Sequence, residues 1–340
     1  ALFNLSDFAG NKTKCRILYT LSLLPPEGIR YTDYFEMAFS AEEQVEMQSM
    51  FHILKDAFWV FLKHRKVSLH PVVREMIARK AIPFQYEYIK PYVDALNVRL
   101  YFKSYMPEMT GVMKMGVAAC EILDKMQIEN LDTAGIFAKL SSNYDILGNK
   151  ELTYQYGIKA YQILEQVEEK RLDEEQLYSL ALAYNLMGYA VLHVYGKKDS
   201  MEYAEKALLK ASEILQMIQA DNKKKKRLFT ANQGDLAALN IVKKDYQKAF
   251  QIHCDNVAFR KEMLEEEPEQ DYKKMVAASY KGMATALFYL SREHMEQREL
   301  LLQKSYQYHC RSVEYYEKAY APDYHFDRMV EENRCIGTLC

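Results

Sequence analysis

The stretch "FAKLSSNYDILGNKELTYQYGIKAYQIL", residues 137–164, constrains the fold of this chain more than any other. Phe137, Leu140, Ser141 and Tyr144 recur at helical spacing and predict one buried face. Leu147-Gly148-Asn149 supplies a turn, and Thr153, Gly157 and Ala160 place small residues along the helix that follows. Small residues at a helix contact let two backbones approach until the other side chains interlock. Two short helices of this kind cannot bury their apolar faces alone, so copies must stack.

Weaker copies follow. Tyr184, Met187 and Gly188 lead through a long turn, "HVYGKKDS", to Ala204, Leu208 and Ala211. Leu236 and Ala237 precede "KKDYQKAF", with Asp245, Tyr246 and Ala249. "MVAASYKGMATALFYL" opens a fourth unit with Gly282 in the small-residue place; its connection, "SREHMEQRELL", reads as helical, so the partner helix around Ser305 to Tyr320 is expected to be extended. "GVMKMGVAACEIL" (111–123) belongs to an earlier, degenerate pair, and "DRMVEENRCIGTLC" to a capping helix or the start of a further repeat. A bulky residue, Leu, a small residue and Tyr, then Gly in the turn, resembles the tetratricopeptide repeat over most of residues 100–320. The resemblance implies an α-solenoid, a right-handed superhelix of helix pairs, whose concave face receives peptides or protein segments. Ser142, Asp145, Asn185, Tyr189 and Met283, on first helices, are expected to line that face.

Composition fits a mainly α chain: 12 glycines and 8 prolines stand against 27 tyrosines and 17 methionines, the tyrosines filling space between helices. The formal net charge of −2 gives no general attraction to nucleic acid or an anionic membrane. No apolar run reaches the roughly 18 residues needed to span a bilayer. The N-terminus lacks a secretory pattern, and six scattered cysteines without a CxxC pair read as reduced thiols, which points to the cytoplasm. The sequence opens on Ala1, as a processed chain or a piece of a longer one would.

Residues 1–92 have a different rhythm from the helical array expected over 93–340. "CRILYTLSLLPPEGI" puts Ile17, Leu18, Leu21 and Leu24 on one helical face before Pro25-Pro26 stops the helix. "YTDYFEMAF" reads as a short helix, and "AEEQVEMQSMFHILKD" as a longer one with Val45, Met50, Ile53 and Leu54 as its apolar side. "AFWVFLK" (57–63) and "KVSLH" (66–70) then read as a β-hairpin. Pro71 suits the first position of a helix carrying Val73, Met76 and Ile77, which Ile82-Pro83 ends. Three helices, a wing and a packing helix make a winged-helix-like domain.

Catalytic patterns are missing. "AGNKTK" (9–14) lacks the first glycine of a phosphate loop and a strand before it, and GxGxxG, HExxH and GxSxG do not occur. His253-Cys254 and His309-Cys310 are adjacent pairs whose side chains point about 100° apart on a helix and do not chelate one ion. "DNKKKKRLF" (221–229) has no interleaved aromatics and reads as a solvated loop or helix start. The chain is therefore read as non-enzymatic, with no cofactor or metal of its own.

"ILYTLSLLPPEGI" followed by "VSLHPVVREMIARK" resembles the winged-helix domain of the signal-transducing NTPases called STAND, which include the NB-ARC proteins. In that family a strand ends in a Met-His-Asp-like triplet, here Leu69, His70 and Pro71, and the histidine approaches the β-phosphate of bound ADP. The resemblance implies that His70 senses nucleotide in a full-length context, with ATP or ADP held by an upstream nucleotide-binding domain that this sequence lacks. Leu69 and Pro71 replace the Met and Asp of the triplet. The implied function is a regulatory module that couples a protein or peptide ligand to a nucleotide switch. Two alternatives stay open: a DNA-binding winged-helix regulator, disfavoured by the acidic "EEQVEMQSMFHILKD", and a peptide-receptor scaffold.

Overall fold

The computed structural model describes residues 11–79, 84–194, 199–266 and 269–319. The chain is mainly helical and divides into two compact units, Ala1–Tyr203 and Ala204–Cys340. The first unit holds both the N-terminal region and the first helices of the array.

Helix α1 (Lys12–Ser22) starts where the Asn11 side chain accepts from the Lys14 N–H. Ile17, Leu18 and Leu21 are buried as expected, but so are Tyr19, Thr20 and Ser22, making α1 a central helix without an exposed last turn. After Pro25-Pro26 the chain turns at Gly28, whose φ of +72° and 2.2 Å separation between its Cβ position and the Val67 carbonyl oxygen require glycine. That approach creates β1 (Ile29–Arg30), a strand too short to have a sequence period, which pairs antiparallel with β3 (Lys66–Leu69). Strand β2 (Val60–Lys63) pairs on the other edge of β3, giving a three-stranded sheet in the order β1-β3-β2. The expected hairpin is present, turning through His64 and Arg65 at φ of 50° and 61°, and β2 begins only after Phe58, also at positive φ.

Helices α2 (Tyr31–Ala38) and α3 (Gln44–Asp56) lie between β1 and β2 in sequence. The apolar side assigned to α3 was partly displaced: Val45 and Ile53 are exposed, while Met47, Phe51 and Leu54 are buried. Phe51 decides the rotation, because its ring joins those of Tyr31 and Phe35 at 5.5 and 5.8 Å. Helix α4 (Pro71–Ala78) buries Val73 and Ile77.

The first unit continues with a 3-10 turn (Tyr86–Tyr88), α5 (Lys90–Arg99), α6 (Met109–Lys125), α7 (Leu131–Ile146), α8 (Lys150–Leu164) and α9 (Glu174–Leu192). Helix α10 (Ser200–Met217) crosses the division between the units, and the second unit adds α11 (Lys223–Val242), α12 (Tyr246–Glu266), α13 (Gln270–Glu293) and α14 (Arg298–Ala319). Within each unit the arrangement is repeat-like. Helix α7 packs on α8 and on α9, and α11 packs on α12 and on α13.

The connection after α13 is largely helical and its partner helix is extended, as expected, with one break between them. His294 leaves helical geometry at φ −111° and ψ 78°, a 3-10 turn follows, and α14 starts at Arg298, well before Ser305. Part of "HVYGKKDS" and all of "DRMVEENRCIGTLC" lie outside the described residues.

The small residues act as the spacing predicts. A Cβ on Gly157 would stand 2.5 Å from Val191 Cγ2 and 2.9 Å from Ser141 Oγ, whereas one on Gly111 meets nothing within 4 Å. Gly157→Ala is expected to lower stability by about 1–3 kcal/mol through overpacking, and Gly111→Ala to raise it by about 0.5–1 kcal/mol through helix propensity. Chemical denaturation of the two variants checks both signs.

Candidate ligand-binding groove

The expected concave-face residues do not behave alike. Met283 is 4% exposed in a core with Val257, Val276 and Tyr280, and Asn185 is buried within α9, so neither presents a surface to a ligand. Met283 sits where α13 meets Val257 of α12. Ser142 is partly buried on α7. Asp145 and Tyr189 do come together: His193 Nδ1 lies 2.8 Å from Asp145 Oδ2, and its ring lies 4.4 Å from that of Tyr189. Burial drives the Asp145 carboxyl up, but hydrogen bonds from His193 and Lys150 outweigh it and hold the group below the usual carboxylate range. This cluster ties α7 to α9.

His70 is the N-cap of α4. Its Nδ1 accepts from the Val72 N–H at 3.2 Å, its backbone N–H donates to the Trp59 carbonyl at 3.0 Å, and its ring lies 5.5 Å from that of Phe61. The histidine joins the hairpin to the following helix.

A groove of about 790 Å³ runs along α5, α7 and α9, reaching the Tyr86–Tyr88 turn at one end. A hydrogen-bonded network forms one wall. The Tyr86 hydroxyl donates to Asp132 Oδ2 at 2.8 Å, and Lys90 reaches Asp94 at 2.9 Å and Asp132 at 3.2 Å. Asn97 Nδ2 donates to the Asp132 carbonyl at 2.8 Å, and Lys139 Nζ donates to Asn97 Oδ1 at 2.8 Å. Gly135 makes room for Asn97, whose Oδ1 would lie 2.8 Å from a Cβ there. Burial pushes the Lys139 ammonium down to about 8, against a weaker pull from Asp132.

None of Tyr86, Asn97, Asp132 or Lys139 was singled out from sequence. A signal existed: Lys139 is the lone charge in the apolar run "GIFAKL", three residues before Ser142, and Asp132 is a further two turns back on the same helical face.

The basic run 221–229 is the start of α11, with Asn222 as its cap. Lys223 and Arg227 both pair with Glu269, and Lys226 lies 3.5 Å from Asp221, so acidic partners offset cations placed against the helix dipole. Among the described residues no cluster of metal-ligating side chains occurs. No helix of the described residues is long and apolar enough to cross a membrane.

His253 and His309, the paired histidines of the sequence, are core residues. The His253 ring covers Gly282, where a Cβ would stand 2.2 Å from Nε2. Burial, with nearby Arg260 adding repulsion, pushes His253 from its ordinary 6.5 down to about 4. Burial and Lys281 also lower His309. The unfolded chain therefore takes up protons that the folded one refuses as pH falls from about 6.5 toward 4, and stability drops over that window. For His253 the full loss is on the order of 3 kcal/mol. Denaturation at pH 7 and pH 4.5 should show the drop, and His253→Gln should shrink it; an unchanged slope in the variant contradicts the assignment.

No protein-family model matches the chain, and no curated protein does. Among solved structures, it is similar to a signal transduction ATPase with numerous domains (STAND) protein with a tetratricopeptide repeat sensor from Pyrococcus horikoshii. The identity is 14% and the TM-score 0.42, over 97% of this chain and 52% of that one. This chain thus spans about half the length of that protein, and a likeness this loose assigns no residue a role.

Proposed function

We propose that the chain is a non-enzymatic interaction module of a STAND-type regulator. Its winged-helix-like N-terminal domain and tetratricopeptide-type array couple a bound protein or peptide segment to a nucleotide switch carried elsewhere. The observation that carries this reading is the short segment before α5. The Tyr86 hydroxyl bonds Asp132 in the groove, while the rings of Phe84 and Tyr88 lie 4.8 and 6.3 Å from that of Tyr19 on α1. A ligand that favours one arrangement of this segment shifts the N-terminal region by its differential affinity.

Arg74 on α4 adds to the coupling. Its guanidinium is lowered by burial but attracted by Glu121 of α6 and by Glu27 beside the proline turn. In a full-length cytoplasmic protein, the upstream nucleotide-binding domain would hold ATP or ADP opposite His70. The Val72 hydrogen bond to Nδ1 favours the tautomer with its proton on Nε2, the form that donates to a phosphate.

A DNA-binding role draws support from the exposed basic wing, Lys63 to Lys66, but α3 carries Glu46 in its first turn where phosphate must be met. Calorimetry of the chain with ADP and with ATP should detect no micromolar binding. Peptides selected from a random library should crosslink to α5, α7 and α9. Tight nucleotide binding, crosslinks confined to other surfaces, or salt-dependent duplex binding near physiological ionic strength contradicts the proposal.

A further inference from the structure

The formal net charge of the chain is only −2, but the N-terminal sheet gathers cations on one face. Buried Ile29, Val67 and Leu69 fix its core side. On the other side Arg30 stands directly opposite Lys66, and Lys66 directly opposite Lys63, so three cations form a row across β1, β3 and β2. At ordinary strand spacing that row is about 10 Å wide. Arg30 has Asp33 at 2.9 Å. Lys63, Arg65 and Lys66 are exposed, with exposed His64 among them, and make no ion pair among the described residues.

The fold gains nothing from this arrangement. Like charges directly opposite one another destabilise a sheet. A lysine on an edge strand discourages pairing with another edge, which accounts for Lys63 on β2 but not for Lys66 on the central strand. His64 and Arg65 turn the hairpin at positive φ, where Asn-Gly would sit with less strain.

Exposed apolar side chains adjoin the cations. Phe61 is 38% exposed and, two residues before Lys63, shares its face; Leu62 is 40% exposed at the sheet edge. A phosphodiester backbone would meet the cations and leave Phe61 and Leu62 in water. An anionic bilayer meets both, with headgroups for the charges and the headgroup–acyl boundary for the apolar side chains.

We propose that this hairpin is a docking surface for an anionic bilayer. Arg30, Lys63, Arg65 and Lys66 face the headgroups, and Phe61 and Leu62 enter the boundary beneath them. The contact is peripheral, and it shares no residue with the groove along α5, α7 and α9.

The test sediments the whole chain with vesicles of phosphatidylcholine alone and with vesicles containing about 30% phosphatidylserine. Binding to the anionic vesicles is expected to be at least about tenfold tighter and to weaken as salt rises. Lys63→Gln and Lys66→Gln should each weaken it about fivefold, one basic residue's share, while melting no lower than the wild type. Lys66→Arg should bind as the wild type does. Phe61→Ser should also weaken binding about fivefold with every charge intact. Equal binding to both kinds of vesicle, or to neither, overturns the proposal, as does Phe61→Ser or Lys66→Gln binding like the wild type. A lower melting temperature for Lys66→Gln assigns the row to structure instead. Tighter binding to a DNA duplex than to anionic vesicles at the same ionic strength assigns it to nucleic acid and overturns the bilayer.

Discussion

The close approach of α8 to its neighbours is the constraint on which the first unit depends. Gly157 leaves no room for a Cβ between Ser141 of α7 and Val191 of α9. The Ser141 hydroxyl uses that proximity to donate to the Thr153 carbonyl at 2.7 Å. With α8 seated against both, α7 and α9 lie side by side and their other faces, with α5, form the groove. The groove is thus a consequence of small residues on a helix that contributes little to its lining.

Polar chemistry in the groove converges on Asp132. Its carboxylate receives Tyr86 and Lys90, and its backbone carbonyl receives Asn97, so the start of α7 fixes the turn before α5 and α5 itself. In the second unit a buried guanidinium has a comparable structural task. Arg260 donates to the carbonyls of Thr230 and Met275 and to the Ser279 hydroxyl, joining α11, α12 and α13. Burial pulls Arg260 down to about 10, and its donors are committed to carbonyls and a hydroxyl on neighbouring helices. Lys139 in the first unit donates instead to the Asn97 amide in the groove wall.

Helical repeats were legible in the sequence because small residues and turn glycines recur with a period that one helix pair imposes. The hairpin was legible from its aromatic and β-branched run. Helix α3 was harder, since two apolar stripes circle it and periodicity alone cannot say which meets Phe35 and Tyr31. Strand β1 is too short to have a period, and the α13–α14 break arises from the backbone at His294 within a run of helix-forming residues. The groove was least legible. Sequence reasoning put Asp145, Asn185, Tyr189 and Met283 all on the concave face; Asp145 and Tyr189 both meet His193, whereas Asn185 and Met283 are buried. Lys139 was concealed by its apolar flanks, and its partner Asn97 lies 42 positions away in sequence.

The central claim is that occupancy of the groove is felt in the N-terminal region through Tyr86 to Tyr88. Hydrogen–deuterium exchange, with and without a library-selected peptide bound, tests it most directly. The account predicts altered exchange in α1 around Tyr19 as well as in α5, α7 and α9. A change confined to the groove helices, with α1 exchanging as in the free chain, would contradict it.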